Sequence, residues 1–398
     1  MADTSTTRQR GNAWGRGALT RGLALVASIV LAGCQTVVPQ GAERSNRPPP
    51  PREAPAQQQN YEGIPTDTAR QRVALLVPLT GANAGVGQSL ANATQMALLD
   101  TRNERIRITT YDTNLGAAAA AQKAIADGNR LILGPLLAAD VRAVAPVARR
   151  AAVPVISFSN DTGVAGDGAY LMGYLPTQSI ARVVSYARSQ GVTSFAGLVP
   201  NGLYGERAST SFLRAVESAG GAVVSLQTYS GASLPGAVTR LAQAGPYQAV
   251  LVGDSGANAA AAMGLVRRSG SSARALGTEL WNSESSVAGR ASLSGAWFAS
   301  VSDGLYRQYA AKYRARFGSA PYRLSSMGYD AVLLTVRIAR DWPLGAPFPE
   351  DRLHDRGGFA GLDGAFRFDR DDVAERALEV QEIRGGTTVV VSPAPTGF

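Results

Sequence analysis

Two segments of this chain have the residue types and spacing of chemical sites. Thr80-Gly81-Ala82-Asn83-Ala84-Gly85-Val86-Gly87 follows a short apolar run and opens a helix-like stretch. A dinucleotide-binding loop occupies that place in a β-α unit. Asp112, closing the next β-branched run, stands where a ribose-binding acid would. A nicotinamide reductase of this pattern also needs a Tyr-x-x-x-Lys pair. The chain has only two lysines, Lys123 and Lys312, and neither has a tyrosine four residues before it. The segment is therefore read as a glycine-rich strand-to-helix turn whose N–H groups line a cleft.

Gly253-Asp254-Ser255-Gly256 has the form of a segment carrying a nucleophilic serine. The only histidine, His354, lies far downstream in the polar stretch Asp351-Arg352-Leu353-His354-Asp355, and no Ser-x-x-Lys occurs. The catalytic set is not assembled. Ser255 is assigned to capping the helix that follows it, and His354 is expected to face solvent. One cysteine and one histidine cannot make a zinc site of the usual Cys and His ligands. The expectation is a protein with no catalytic residues, no metal and no cofactor.

The elements that would position any site alternate. Val73–Val77, Ile106–Tyr111, Leu131–Leu133 and Val153–Ser157 read as strands separated by helical stretches. One such stretch carries Val141, Val144, Ala145 and Ala148 on one face, with Pro146 expected to kink it. The alternation restarts after Tyr174, with strands at Ser194–Val199, Ala222–Leu226 and Gln248–Val252. The reading is two doubly wound parallel sheets. Tyr306, Tyr309, Ala310, Tyr313 and Phe317 form an aromatic stripe at helical spacing, read as core packing. Leu378–Ile383, Gly385-Gly386 and Thr387–Val391 read as a closing hairpin.

With 45% hydrophobic and 17% charged residues, 398 residues suffice for two cored units. The net charge is +9, of which +3 falls in residues 1–33; the rest is dispersed arginine with no basic stripe, which argues against nucleic acid as a partner.

The N-terminus reads as an address. A basic and polar segment precedes the apolar run Leu23–Ala32, too short to span a bilayer. Leu31-Ala32-Gly33-Cys34 resembles the lipobox of bacterial lipoproteins. The resemblance implies cleavage before Cys34, lipidation there and a permanent membrane anchor. Gln35, where that family's inner-membrane retention signal has Asp, implies the outer membrane with the protein facing the periplasm. Residues 35–70 are rich in Pro, Gln and charge and cannot bury a core. At about 3.1 Å per residue such a tether reaches roughly 100 Å.

Five segments, in order, resemble the type I periplasmic binding fold in its leucine/isoleucine/valine-binding branch. They are Val73-Ala-Leu-Leu-Val-Pro-Leu-Thr-Gly81, Leu133-Gly-Pro135, Val153-Pro-Val-Ile-Ser157, Tyr204-Gly-Glu206 and Gly328-Tyr-Asp-Ala331. Ser157-Phe-Ser-Asn160 and Leu171-Met-Gly-Tyr-Leu-Pro176 are similar to the lipoprotein activators of class A penicillin-binding proteins, whose C-terminal domain has this fold. Their N-terminal helical-repeat domain is replaced here by the short linker.

The resemblance implies an α/β protein of two doubly wound parallel-sheet lobes joined by a multi-segment hinge. Residues 1–33 would be the signal peptide and residues 34–70 the lipidated cysteine plus linker. Residues 71–176 and 300–343 would form lobe 1, and residues 177–299 and 344–398 lobe 2. The candidate ligand-binding residues are Thr80, Gly81, Ser157, Ser159, Asn160, Asp161, Tyr204 and Glu279. Glu279 matches the family's ammonium-binding acid and Tyr204 its cleft tyrosine. On the carboxylate side, Leu137, Ala138 and Ala139 replace the expected serines, and Asn160-Asp161 replaces a threonine. A ligand carboxylate beside Asp161 would be repelled. The leading expectation is a non-enzymatic lipoprotein that binds and activates a class A penicillin-binding protein. The alternative is a solute-binding receptor of a branched-chain amino-acid type ABC transporter, with a small molecule in the interlobe cleft.

Overall fold

The structure is a computed structural model and describes residues 69–398 apart from residue 285. The signal segment, Cys34 and the linker lie outside the described residues.

The first lobe is built from β1 (Gln71–Val77), α1 (Ala84–Thr101), β2 (Ile106–Asp112), α2 (Ala117–Ala126), β3 (Leu131–Leu133), α3 (Ala138–Arg150), β4 (Val155–Ser157) and β5 (Ala169–Leu171). Its strands pair in parallel in the order β2-β1-β3-β4-β5. Strands β1, β3 and β4 are almost wholly apolar because helices cover both faces of the sheet. Val73, Leu75 and Val77 point to one core and Ala74 and Leu76 to the other. Helix α3 runs unbroken through Pro146, with Val141, Val144 and Ala148 buried.

The second lobe comprises α4 (Pro176–Ser189), β6 (Ser194–Pro200), α5 (Leu203–Ser218), β7 (Ala222–Tyr229), α6 (Leu234–Gln243), β8 (Ala249–Val252), α7 (Gly256–Arg268), β9 (Arg274–Gly277) and β10 (Trp297–Ser300). The chain then returns to the first lobe through α8 (Gly304–Phe317) and α9 (Ser325–Ile338). Tyr309 and Tyr313 of α8 pack on Ala93 and Met96 of α1, so the aromatic stripe is core.

One boundary differs from the sequence reading, which placed residues 344–398 in the second lobe. Phe348, Leu353, Phe359, Phe366, Phe368 and Ala374 bury in the same core as Val73 and Leu75 of β1. They bring with them a small antiparallel sheet of β11 (Phe359–Gly361), β12 (Gly364–Phe368) and β13 (Ala374–Arg376). Only β14 (Glu379–Arg384) and β15 (Thr387–Ser392) join the second sheet, as a hairpin turned by Gly385-Gly386. A run of short strands carries no signal for which of two cores its phenylalanines will fill. The second sheet then reads β15-β14-β10-β9-β8-β6-β7. Within the described residues the chain crosses between sheets after β5, after β10 and after β13.

Candidate functional site

Open α/β sheets bind ligands in the crevice beyond the carboxyl ends of their strands. A cavity of about 330 Å³ lies there, walled by both lobes. Asn83 and Val86 come from the start of α1, and Leu136, Leu137, Phe158 and Asn160 from the loops after β3 and β4. The second lobe contributes Gln178, Glu279, Leu280, Asn282 and Ser283. Tyr174, Arg376 and Leu378, from segments where the chain crosses between lobes, and Arg323 and Met327, from just before and within α9, complete the lining.

The glycine-rich turn is braced rather than open. Asp112 accepts hydrogen bonds from Leu79 N at 2.9 Å, Asn114 N at 2.9 Å and Thr80 Oγ1 at 2.8 Å, and Asn114 Nδ2 donates to Thr80 Oγ1 at 3.1 Å. The Asp112 carboxylate is committed to its own loop. Gly81 has φ +73°, and a Cβ there would lie 2.9 Å from Asn114 Nδ2, so its glycine serves the turn. Neither Thr80 nor Gly81 lines the cavity, whereas Asn83 does.

Ser157 and Ser159 shape the loop after β4. Ser157 Oγ donates to Pro135 O at 2.9 Å and accepts from Ser159 N at 3.0 Å, and Ser159 Oγ accepts from Asp161 N at 3.1 Å. Both serines are buried. Their hydrogen bonds leave Asn160 facing the cavity. Asp161 turns away from it, capping Gly163 N and pairing with Arg142 of α3 at 2.6 Å and with Arg207 of α5. Burial pushes its carboxyl up, but the Arg207 hydrogen bond, the Gly163 N–H and Arg142 outweigh that and hold it below the usual range. Its charge joins the two lobes, and the repulsion of a ligand carboxylate expected from the sequence is answered by two arginines.

Glu279 is buried at the cavity wall, and burial pushes its carboxyl up. It accepts hydrogen bonds from Tyr204 Oη at 2.9 Å and from Ser179 Oγ, while Tyr204 Oη also lies 3.0 Å from Thr278 Oγ1. Its oxygens are thus engaged by neutral donors before any ligand arrives. Of the eight candidates, Asn160 and Glu279 line the cavity.

The other chemical candidates take structural places. Ser255 Oγ accepts from Asn258 N at 3.2 Å as the cap of α7. His354 is exposed, as expected, with its side chain 39% exposed and its Nε2 3.3 Å from an Asp372 carboxylate oxygen.

The residues that sequence reasoning missed are Arg323, Arg376, Tyr174 and Gln178. Arg323 Nη1 donates to Asp363 at 2.8 Å and to Ser326 Oγ at 2.8 Å, and the Tyr174 hydroxyl donates to the same Asp363 carboxylate. Arg376 Nη2 donates to Met172 O at 2.7 Å, and Arg376 N donates to Gln178 Oε1 at 3.1 Å. Burial disfavours the Asp363 anion, but Arg323 and Arg376 more than offset this and hold its pKa down; the adjacent Asp330 is pushed up to about 7 by burial and by the Asp363 charge. No local signal marked these arginines, because arginine supplies nearly all the basicity of the chain.

Residues 70–387 match the periplasmic binding protein family, and the chain belongs to it. The fold is the type I form of that family. A putative branched-chain amino acid ABC transporter protein from Rhodospirillum rubrum superposes with a TM-score of 0.71 at 21% identity, covering 81% of this chain and 100% of that one. A solute binding protein of an ABC transporter from R. palustris, solved in complex with benzoate, superposes with a TM-score of 0.62 at 15% identity, covering 83% of this chain and 97% of the other. An uncharacterized protein of Rickettsia prowazekii is 28% identical over 139 residues, which span 34% of this chain and 37% of that relative.

Proposed function

We propose that this chain is a solute-binding receptor that encloses a small molecule between its lobes for an ABC transporter. The observation that carries this reading is the cavity itself. It lies at the carboxyl ends of both sheets, is largely apolar, and has a few convergent polar groups, the form of a small-molecule site. Family membership supports it.

A second reading rests on the N-terminus. Leu31-Ala32-Gly33-Cys34 followed by Gln35 favours an outer-membrane lipoprotein. A protein held there fits the activation of a class A penicillin-binding protein better than delivery to an inner-membrane transporter.

One experiment separates the two. The purified chain is melted with branched-chain amino acids, small organic acids and sugars, and is also added to a class A penicillin-binding protein in a glycan polymerisation assay. A solute at 100 times its Kd adds about 2.7 kcal/mol of stability, which reads as a clear melting shift. The expected result is a saturable shift with one solute class and no change in polymerisation rate. No shift with any solute, together with a raised polymerisation rate, would replace the receptor reading with the activator.

A further inference from the structure

The interlobe cavity carries two buried guanidiniums whose hydrogen-bonding capacity the protein does not fill. Arg376 is 6% and Arg323 7% exposed, and both line the cavity. Within the protein, Arg376 Nε and Nη1 and Arg323 Nε and Nη2 have no hydrogen-bond partner. Arg323 has charge compensation from Asp363 at 2.8 Å and from Asp303 at 3.5 Å. Arg376 has less. Among the described residues no carboxylate lies within ion-pair distance of it, and its one side-chain hydrogen bond goes to the neutral carbonyl of Met172.

The Asp363 and Asp330 carboxylates act on Arg376 from beyond ion-pair distance and compensate part of its charge, but its unfilled buried N–H donors still cost free energy unless a partner engages them. The ring of Tyr174 lies 5.1 Å and that of Phe366 5.2 Å from the Arg376 guanidinium, which holds the planar group in place and returns part of that cost. The result is a fixed fork of N–H donors beside an apolar chamber of Val86, Leu136, Leu137, Phe158, Met327 and Leu378. Such a fork matches a carboxylate in two-point contact.

The opposite wall does not ask for a cation. Glu279 is the one carboxylate lining the cavity, and its oxygens already accept from Tyr204 and Ser179. Burial also disfavours its charged form.

We propose that the cavity takes a small monocarboxylic acid with an apolar body, its carboxylate on Arg376 and Arg323, and that no ammonium group is required. This rests on the receptor reading above and names its ligand class.

The test uses the purified full-length chain and a panel in which one group changes at a time: benzoate against benzamide, and 4-methylpentanoate against 4-methylpentanamide and leucine. Binding is read by calorimetry and by melting. The acids should bind at least about 10-fold more tightly than their amides, the loss expected when a charge-assisted pair is replaced by a neutral one. 4-Methylpentanoate should bind at least as well as leucine. Arg376→Gln should lose the preference for acid over amide, whereas Arg376→Lys, which keeps the charge without the fork, should retain part of it. The comparison of acid with amide on the unaltered chain decides the matter even if the variants fold poorly. Amides binding as tightly as acids, or leucine binding while 4-methylpentanoate does not, would overturn the assignment and leave the receptor reading standing. No binding by any member overturns the assignment, and the wider solute screen then decides the receptor reading on its own.

Discussion

The side chains that set the chemistry of this protein are its buried charges, and each is defined by neighbours distant in the chain. Asp330 illustrates this. Its carboxylate accepts from Leu362 N at 2.5 Å and Asp363 N at 3.4 Å, and burial together with the Asp363 charge pushes it up to about 7. A carboxyl whose folded pKa lies above its unfolded value contributes stability that is fully present below pH ~4 and is lost as the pH rises through the folded value near 7. Melting temperature should therefore rise when the pH is lowered from 8 to 5.5. Asp330→Asn, which cannot ionise, should flatten that rise. An unchanged pH profile in the variant would show that other groups carry it. The residues with site-like spacing in the sequence were the ones the fold consumed locally. Asp112 and Ser255 hold turns, because a polar side chain at a strand or helix end meets unpaired backbone donors before it meets a ligand.

At the scale of the element, the two lobes use one device to seat a helix on a sheet. Pro78 follows the last residue of β1 and Pro200 ends β6, and in each lobe a glycine of the next helix comes down on the proline carbonyl. A Cβ at Gly87 would lie 1.8 Å from Pro78 O, and one at Gly205 would lie 1.6 Å from Pro200 O. The obstacle is backbone, so no rotamer change relieves it, and the helix must shift. Gly205→Ala should destabilise the protein by at least about 1–3 kcal/mol, the usual cost of overpacking. Gly202→Ala gives a contrast of another kind. It has open space around it but a φ of +99°, so its cost comes from backbone strain and not from collision. A chemical denaturation series checks both, and a Gly205→Ala protein as stable as the parent would rule out the close seat. The strands and helices were legible from apolar runs and periodicity, since β3 and β8 are wholly apolar and β1 and β6 carry the runs Val73–Val77 and Phe195–Val199 between helical segments. The destination of β11–β13 was not, because short antiparallel strands pair wherever a core accepts their aromatic residues.

At the scale of the whole molecule, the cavity exists only because the lobes are held at one separation. Asp161 of the first lobe binds Arg142 of the same lobe and Arg207 of the second, and Gln178 of α4 donates to Ala374 O at 2.8 Å on the first. Asp161→Asn keeps an oxygen for Gly163 N but removes the charge. Arg142 and Arg207 are 57% and 27% exposed, so solvent screens part of the loss. The expected cost is about 1–2 kcal/mol. The more telling readout is the radius of gyration by small-angle scattering, which should increase in the unliganded variant and return toward the parent value at saturating ligand. An unchanged radius would mean that the three chain crossings alone set the lobe separation.

The sequence by itself determined the alternating α/β architecture, because apolar periodicity and turn residues are local properties that need no knowledge of distant neighbours, while the family followed from the resemblance of five ordered segments. It also marked Glu279 and Asn160, whose positions follow from segments in a known order. Only the tertiary structure decided what those residues face. It engaged the Glu279 oxygens with Tyr204 and Ser179, turned Asp161 into a bridge between lobes, and brought Arg323 and Arg376, 53 positions apart, to one wall of the cavity. The physical reason is that a charged group takes its role from its dielectric surroundings and its counter-charges, and in this fold both come from segments distant in the chain: Arg142 and Arg207 for Asp161, Tyr204 and Ser179 for Glu279, and Asp363 for Arg323.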